Sequence, residues 1–334
     1  MKPSTCTRGL AALALAGLAL LPGWTQAQPS QPGPALAGLQ ARLDEWVRRG
    51  YDEPDAALAA LSALGREPLA APLEPRLPAL AQGLVAAGAG RSAATAQALS
   101  VLAALAPTET LAAADASLVR ATLADMQGES ALALAAAQEA EQAYQGVCPS
   151  RPGCDYRSRW LAATLMARHA YRRGQASAAG SHALAAVELA RAAGDAWRHA
   201  SALAQAADLT GQQGERAAEQ RLLGQAQRLA RLQGSKSLIS RVSIYETRIL
   251  TRNNDVAGAI RAAQSGAAMA RQAHSPRLLA VHLTNLSDLA VRAGRPREAL
   301  AAVQQALPIV RGDGNRRGER TLINNEALAH IALG

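Results

Sequence analysis

The sequence predicts an all-α protein built from stacked helical hairpins, and three observations support this prediction. Ala and Leu dominate the 334 residues, Phe is absent and only 3% are aromatic, a composition that favours closely packed helices over strands. Residues that tolerate a left-handed helix end recur every 40 positions. The segments between them carry amphipathic helical stripes. A chain of this length is too long for one ordinary core, so we expect an open array of hairpins.

Residues 1–27 resemble a secretory signal peptide. Lys2 and Arg8 precede an apolar run at 9–21, and the small residue Ala27 suits a cleavage site. This run is too short to span a bilayer, so we expect a mature chain with no transmembrane span. The predicted location is the periplasm, with a tether to the inner membrane as a feature of a longer form. Residues 28–35 are expected to be a linker.

Residues 36–147 are expected to form degenerate helical repeats, followed by a cysteine loop at 148–156. Cys148 and Cys154 bracket a run of turn-forming residues. In an oxidising compartment this spacing predicts a disulfide, which on chain-entropy grounds would stabilise so short a loop by about 2 kcal/mol. Metal binding is the alternative, although no His lies nearby to complete a four-ligand set.

Residues 157–334 are predicted to be regular repeats. Helical stretches stop at Gly or Asn residues spaced 40 apart, with Gly50, Gly90 and Gly128 marking similar ends upstream. Around the turn at 294, one stripe includes Leu283 and Leu286, and the next includes Val303 and Val310. Neither stripe can be buried alone, so stacking should generate a superhelix with a concave groove. The spaced positions are Gly174, Gly214, Asn254, Gly294 and Gly334.

Segment 285–307, with its turn at Gly294, resembles a tetratricopeptide repeat. The resemblance implies a right-handed superhelix of helical hairpins, here with a repeat of about 40 residues rather than the usual 34. Small residues are needed where the helices of that family cross, and only Glu219 is not small among the twelve matching positions. These are Ala167, Ala179, Ala186, Ala207, Glu219, Ala226, Thr247, Ala259, Gly266, Ser287, Ala299 and Ala306.

Residues 322–334 read as the first helix of a further, incomplete repeat, so we expect a fragment of a longer protein. Leu322, Ile323, Leu328 and Ile331 should then be only partly covered. A signal peptide followed by long tetratricopeptide units resembles the periplasmic sensor region of GGDEF-type diguanylate cyclases. This resemblance implies a non-catalytic sensory region that binds a protein or peptide. A stand-alone periplasmic adaptor in cell-envelope assembly is the alternative.

Sequence motifs for catalysis, cofactors or metals are not found. The six His residues lack metal-ligand spacing with a third ligand, and no phosphate-binding glycine loop follows a strand. We therefore expect no enzyme activity, no cofactor and no metal. Residues 28–147 contain 7 basic and 13 acidic residues, whereas residues 148–334 contain 26 and 13. The positive half could attract an acidic protein, anionic cell-wall material or the membrane surface, or could be a solvated Arg-rich surface, and the scarcity of aromatic platforms argues against nucleic acid.

The repeat register predicts which residues line the concave groove. Tetratricopeptide proteins use the first helix of each unit for this face, and counting from each turn gives the equivalent positions here. Opposite charges alternate at one equivalent position, which is occupied by Arg168, Asp208, Arg248 and Asp288. These side chains could hold a peptide or could form salt bridges between repeats. Asn285 and Asn325 match the peptide-binding asparagine of the family. The predicted groove residues are Thr164, Arg168, Tyr171, Arg172, Asp208, Gln212, Arg241, Tyr245, Arg248, Arg252, Asn285, Asp288, Arg292, Asn324 and Asn325.

Overall fold

The computed structural model describes residues 34–65, 75–147 and 155–334, and within these ranges the chain forms fifteen α-helices and no strand. The expected all-α, tetratricopeptide-like solenoid of helical hairpins is therefore confirmed. The helices are α1 (Pro34–Arg49), α2 (Pro54–Leu64), α3 (Arg76–Gly88), α4 (Ser92–Leu105), α5 (Ala112–Gln127), α6 (Ser130–Val147), α7 (Tyr156–Arg172), α8 (Ala176–Ala192), α9 (Ala196–Gln212), α10 (Arg216–Leu232), α11 (Lys236–Arg252), α12 (Val256–Gln272), α13 (Pro276–Arg292), α14 (Pro296–Gly312) and α15 (Arg316–Leu333).

From α7 onward the array is regular. Each helix from α7 to α14 has 17 residues, and from α8 onward each begins 20 residues after the previous one, so a hairpin of two helices repeats every 40 residues. The predicted repeat length is thus confirmed. Consecutive helices pack against one another along the whole array. The first helices of the regular hairpins are α7, α9, α11, α13 and α15. First helices of successive hairpins are also in contact, for example α9 with α11 and α11 with α13.

Each regular turn is closed by a left-handed residue. Gly174 has φ +76°, its N–H donates to the Tyr171 carbonyl, and the Gln175 N–H donates to the Ala170 carbonyl. These two bonds satisfy carbonyl groups that the helix end leaves free. Gly214, Asn254 and Gly294 adopt the same conformation, as predicted, with φ between +61° and +88°. The turns between hairpins, which the sequence analysis did not identify, do likewise at Gly194, Gly234, His274 and Gly314.

Upstream, Gly90 and Gly128 also have positive φ, but Gly50 does not, which corrects its interpretation as a left-handed turn. A Cβ at Gly50 would lie 2.6 Å from a methyl carbon of Val85. Glycine is therefore needed at this position for close packing of α1 on α3 rather than for backbone conformation.

Small side chains let the helices of the regular repeats approach closely. Of the twelve positions matched to the tetratricopeptide pattern, every one is buried, including Glu219 at 2% exposure. The last helix is only half covered: Leu322 is fully buried, contrary to expectation, whereas Ile323 is 45% and Ile331 76% exposed. Leu322 is covered because it packs with Val303 and Val310 of the preceding helix.

The array curves back on itself, so that helices of the first half contact the regular repeats. Arg277 Nη1 donates to the Gly88 carbonyl at 3.0 Å, and the Ser275 hydroxyl donates to Asp52. Asp44 of α1 forms a buried ion pair with Arg198 of α9. The inner face of the regular half is therefore partly enclosed by α1, α3 and α5.

Some sequence-based predictions concern residues outside the described ranges. The signal peptide at 1–27, most of the linker and the Cys148–Cys154 loop are among them. Across 34–65, 75–147 and 155–334, none of the helices combines the length and the apolar character that crossing a bilayer requires.

Candidate binding cavities

Two cavities lie on the face lined by the first helices of the repeats, at opposite ends of those helices. The carboxyl-end cavity has a volume of about 360 Å³ and is bordered by α7, α9, α11 and α13. The amino-end cavity has a volume of about 880 Å³ and lies between α1, α3 and the first turns of α7, α9 and α11. Both volumes fall in the range of small-molecule and peptide-anchor sites, which is about 300–1,000 Å³.

The carboxyl-end cavity brings together much of the predicted groove. The 40-residue period places equivalent residues of successive first helices side by side, so residues distant in sequence share one surface. Thr247, Thr251 and Leu289 complete its lining. The predicted residues that it contains are Tyr171, Asp208, Gln212, Arg248, Arg252, Asn285, Asp288 and Arg292.

A charge network between repeats forms the floor of this cavity. Asp208, only 1% exposed, lies 2.8 Å from Arg248 Nη2 and 2.6 Å from Arg252 Nη1. Arg252 also forms a salt bridge with Glu219, the one residue that departs from the small-residue pattern. Two guanidinium groups therefore neutralise two buried carboxylates, and the inter-repeat salt bridges considered as an alternative in the sequence analysis are present.

Above this floor, polar groups remain available to a ligand. The Nδ2 atom of Asn285 is buried and has no hydrogen-bond partner among the described residues. The side chain of Arg248 is 42% exposed. Arg292 and Asp288 form an ion pair of 2.8 Å in which both side chains are exposed. Exposed pairs of this kind contribute about 0–1 kcal/mol, so a ligand can displace them at little cost.

Other predicted groove residues lie outside the carboxyl-end cavity. Arg168 and Arg172 both pair with Asp125 of α5. Burial alone would raise the pKa of Asp125, but Arg168, together with a hydrogen bond from His169, holds it well below its ordinary value. Burial and the neighbouring Arg168 lower the pKa of Arg172 to about 10.

The remaining predicted groove residues make internal contacts or line other surfaces. Thr164 is buried and its carbonyl accepts from Gln205 at 3.1 Å. Asn325 is 3% exposed and its Nδ2 donates to the Ser287 hydroxyl at 2.7 Å, so its amide is engaged within the protein. Tyr245 stacks under Arg248. Asn324 is exposed on α15, and Arg241 lines the amino-end cavity.

The amino-end cavity is lined mainly by residues that the sequence analysis did not predict to be binding residues. Trp160 and Trp197 meet edge to face at 6.4 Å, and Arg198 lies over the Trp160 ring. The ring of Tyr51, from the turn after α1, is contacted by the guanidinium groups of Arg241, at 4.9 Å, and Arg277, at 5.5 Å. The available signal was the concentration of rare aromatic residues in the first turns of α7 and α9. The contribution of Tyr51 could not be foreseen, because it depends on closure of the array.

Metal binding finds no support in the described part of the chain, where no group of three or more His, Cys, Asp or Glu side chains is placed to hold an ion. The two cavities instead present guanidinium, amide and aromatic groups, which recognise ligands by hydrogen bonding, charge and stacking.

Two solved Rap structures support the fold. A Rap protein complexed with Competence and Sporulation Factor matches with a TM-score of 0.63 and 13% identity, covering 90% of this chain and 87% of that chain. The apo form of RapI matches with a TM-score of 0.50 and 12% identity, covering 86% and 85%. BtubC (BKLC) from P. vanneervenii gives a TM-score of 0.45 and 20% identity, covering 66% and 89%.

Neither a protein-family model nor a curated protein matches the sequence. The similarity to the two Rap structures extends over most of both chains, although fewer than one residue in seven is identical. At this level of identity the comparison concerns architecture. The chain therefore has the tetratricopeptide-like helical-repeat fold seen in Rap proteins.

Proposed function

We propose that the chain is a non-catalytic binding region whose carboxyl-end cavity holds an extended segment of a protein or peptide partner. The observation that carries this proposal is the buried Nδ2 of Asn285, which lacks a partner among the described residues although it lies in an open cavity. A buried donor without a partner is unfavourable by about 1–3 kcal/mol. A backbone carbonyl of a bound segment would supply the missing acceptor.

The charges of the cavity favour an acidic segment. Asp208 is already neutralised by Arg248 and Arg252, and the pairing of Asp288 with Arg292 is exposed and weak. Arg248 and Arg292 therefore retain donors that face the cavity. A guanidinium group binds a carboxylate through two parallel hydrogen bonds, which gives orientation as well as affinity.

The similarity to the Rap protein complexed with Competence and Sporulation Factor supports a binding role for this fold. Together with the signal-peptide-like residues 1–27, it leads us to propose a periplasmic region that senses a protein or peptide ligand for a signalling protein of the diguanylate cyclase type. A stand-alone adaptor in envelope assembly remains the second candidate. A membrane helix and a catalytic domain encoded beyond residue 334 would favour the sensor, and a closing helix alone would favour the adaptor.

Because the partner is unidentified, a random peptide display library is the probe that tests the binding site. We expect enrichment of acidic peptides that bind the wild-type chain, and loss of at least tenfold in affinity when Arg248 and Arg292 are both changed to Ala. Changing Arg221 and Arg228, exposed on the second helix α10, to Ala is the matched control and should have little effect. Equal losses in both variants, or selection of peptides without acidic residues, would reject this site.

A further inference from the structure

The amino-end cavity has the size and walls of a site for a small amphiphilic molecule. Its volume of about 880 Å³ is more than twice that of the carboxyl-end cavity. The indole rings of Trp160 and Trp197 form one side. Leucine side chains from four helices form much of the remainder, namely Leu43, Leu77, Leu80, Leu84, Leu161 and Leu278. Such a surface favours an apolar ligand body.

One cation in this cavity is held in place without an ion-pair partner. The guanidinium of Arg241 lies 4.9 Å from the Tyr51 ring centroid and 5.2 Å from that of Trp197. Among the described residues no carboxylate forms an ion pair with Arg241, and its Nε lacks a hydrogen-bond partner. Stacking on aromatic faces fixes the plane of the guanidinium and leaves its edge donors free for a carboxylate.

The acidic residues of the cavity have other partners. Asp44 pairs with Arg198, and Glu53 lies 3.0 Å from Arg49. Asp52 accepts a hydrogen bond from Ser275 and lies near the charges of Arg241 and Arg277, without an ion pair to Arg241. None of these carboxylates forms an ion pair with Arg241, so its guanidinium keeps capacity for an anion; Lys236, exposed at the start of α11, also lines the cavity.

Two further donors point to the same ligand chemistry. The indole N–H of Trp160 is buried and has no acceptor among the described residues. The helix α11, which carries Arg241, begins at the cavity with the neutral cap Ser235, whereas α7 and α9 are capped by Asp155 and Asp195. The positive end of the α11 dipole is therefore not offset by a carboxylate.

We propose that the amino-end cavity binds a small carboxylic acid with an apolar body, placing the carboxylate on Arg241 and the body against Trp160, Trp197 and the leucine wall. This site is separate from the carboxyl-end cavity and does not depend on the proposed peptide binding. It assigns a role to the aromatic residues that the repeat pattern does not require.

Three probes separate the requirements of this site. Octanoate has both the charge and the body, 1-octanol has the body alone, and acetate has the charge alone. We expect octanoate to change the tryptophan fluorescence of the chain saturably, because two of the three described tryptophans line the cavity. Binding of 1-octanol and of acetate, measured in the same way and by calorimetry, should be at least tenfold weaker.

Variants assign the carboxylate to its residue. Arg241→Gln should weaken octanoate binding at least tenfold, to the level of 1-octanol, and Arg221→Gln on the exposed face of α10 should leave it unchanged. Circular dichroism shows whether Arg241→Gln folds; if it does not, the comparison of octanoate with 1-octanol on the wild-type chain decides alone. Equal affinity for octanoate and 1-octanol, or an unchanged octanoate affinity in folded Arg241→Gln, would overturn the proposal.

Discussion

At the scale of single residues, buried polar groups mark where the structure departs from a simple Ala-rich packing. Glu219 occupies a position that the repeat pattern reserves for a small residue, yet it is buried and binds Arg252 of the next repeat. Room for its carboxylate comes from Gly211 on the facing helix, where a Cβ would overlap the Glu219 side chain. One glycine thus permits a salt bridge that joins two repeats.

Changing Gly211 to Ala should therefore lower the free energy of unfolding by about 1–3 kcal/mol, the usual effect of overpacking. Gly224→Ala is the matched control: it also lies within a helix, but a Cβ there has only ordinary contact with Arg228. That change should raise the free energy of unfolding by about 0.5–1 kcal/mol through helix propensity. Urea denaturation measures both, and equal effects would contradict the account.

A second residue-scale prediction concerns His282, which is fully buried beside Ser240, with His282 Nε2 and the Ser240 hydroxyl 3.0 Å apart. Burial lowers the pKa of His282 from 6.5 to about 4. Between these pH values the unfolded chain binds the proton more readily, so acidification destabilises the folded state. The shift corresponds to about 3 kcal/mol, lost as the pH falls from about 7 to 4.

Urea denaturation of the wild type and of His282→Gln at several pH values isolates this effect from other titrating groups. The stability advantage of the wild type should shrink by about 3 kcal/mol between pH 7.5 and pH 4. The same comparison with His330→Gln, exposed on α15, should show little change. A difference between wild type and His282→Gln that stays constant with pH would show that His282 does not titrate in this way.

At the scale of elements, the helices and half of their turns could be predicted from the sequence. Gly174, Gly214, Asn254 and Gly294 recur at the repeat length, and left-handed helix ends require this type of residue. The alternate turns escaped notice because His274 interrupts their series, and histidine rarely adopts φ near +51°. A repeat can therefore be recognised from its turns only where each turn carries Gly or Asn, the residues that favour a left-handed conformation.

Substitutions at the left-handed turn residues should change the free energy of unfolding by graded amounts. His274→Gly should raise the free energy of unfolding by about 1 kcal/mol, because a left-handed conformation is unfavourable for a side chain with a Cβ. Asn254→Gly should raise it by about half as much, since asparagine tolerates this conformation better. Gly294→Ala should lower it. Thermal denaturation ranks the three variants, and a destabilised His274→Gly would contradict the assigned backbone strain.

At the scale of the whole molecule, the acidic first half closes onto the basic regular half. Asp44 of α1 pairs with Arg198 of α9, and Asp52 accepts a hydrogen bond from Ser275 at the start of α13. The opposite charges of the two halves were evident from composition, and the carboxyl-end cavity followed from the period. The closing contacts could not be predicted, because they join residues that share no repeat register.

This closure predicts unequal effects of two aspartates. Asp44→Ala should lower the free energy of unfolding by about 1–3 kcal/mol, because the buried Arg198 loses its hydrogen bonds to Asp44 while it keeps those to Asp195. Asp55→Ala removes an exposed pair with Arg91 and should lower it by less than about 1 kcal/mol. Hydrogen exchange should place the loosening in Asp44→Ala at α1 and at the first turn of α9. Similar values for both variants would argue against a closed array.

The central claim is that the carboxyl-end cavity receives the backbone of a protein or peptide, and the affinity of Asn285→Ala for a selected acidic peptide tests it most directly. Calorimetry with the wild type and the variant, at one salt concentration, gives the two affinities. We predict a loss of about tenfold, which corresponds to one hydrogen bond of about 1.4 kcal/mol, with unchanged folding by circular dichroism. Equal affinity of both proteins for the peptide would contradict the claim.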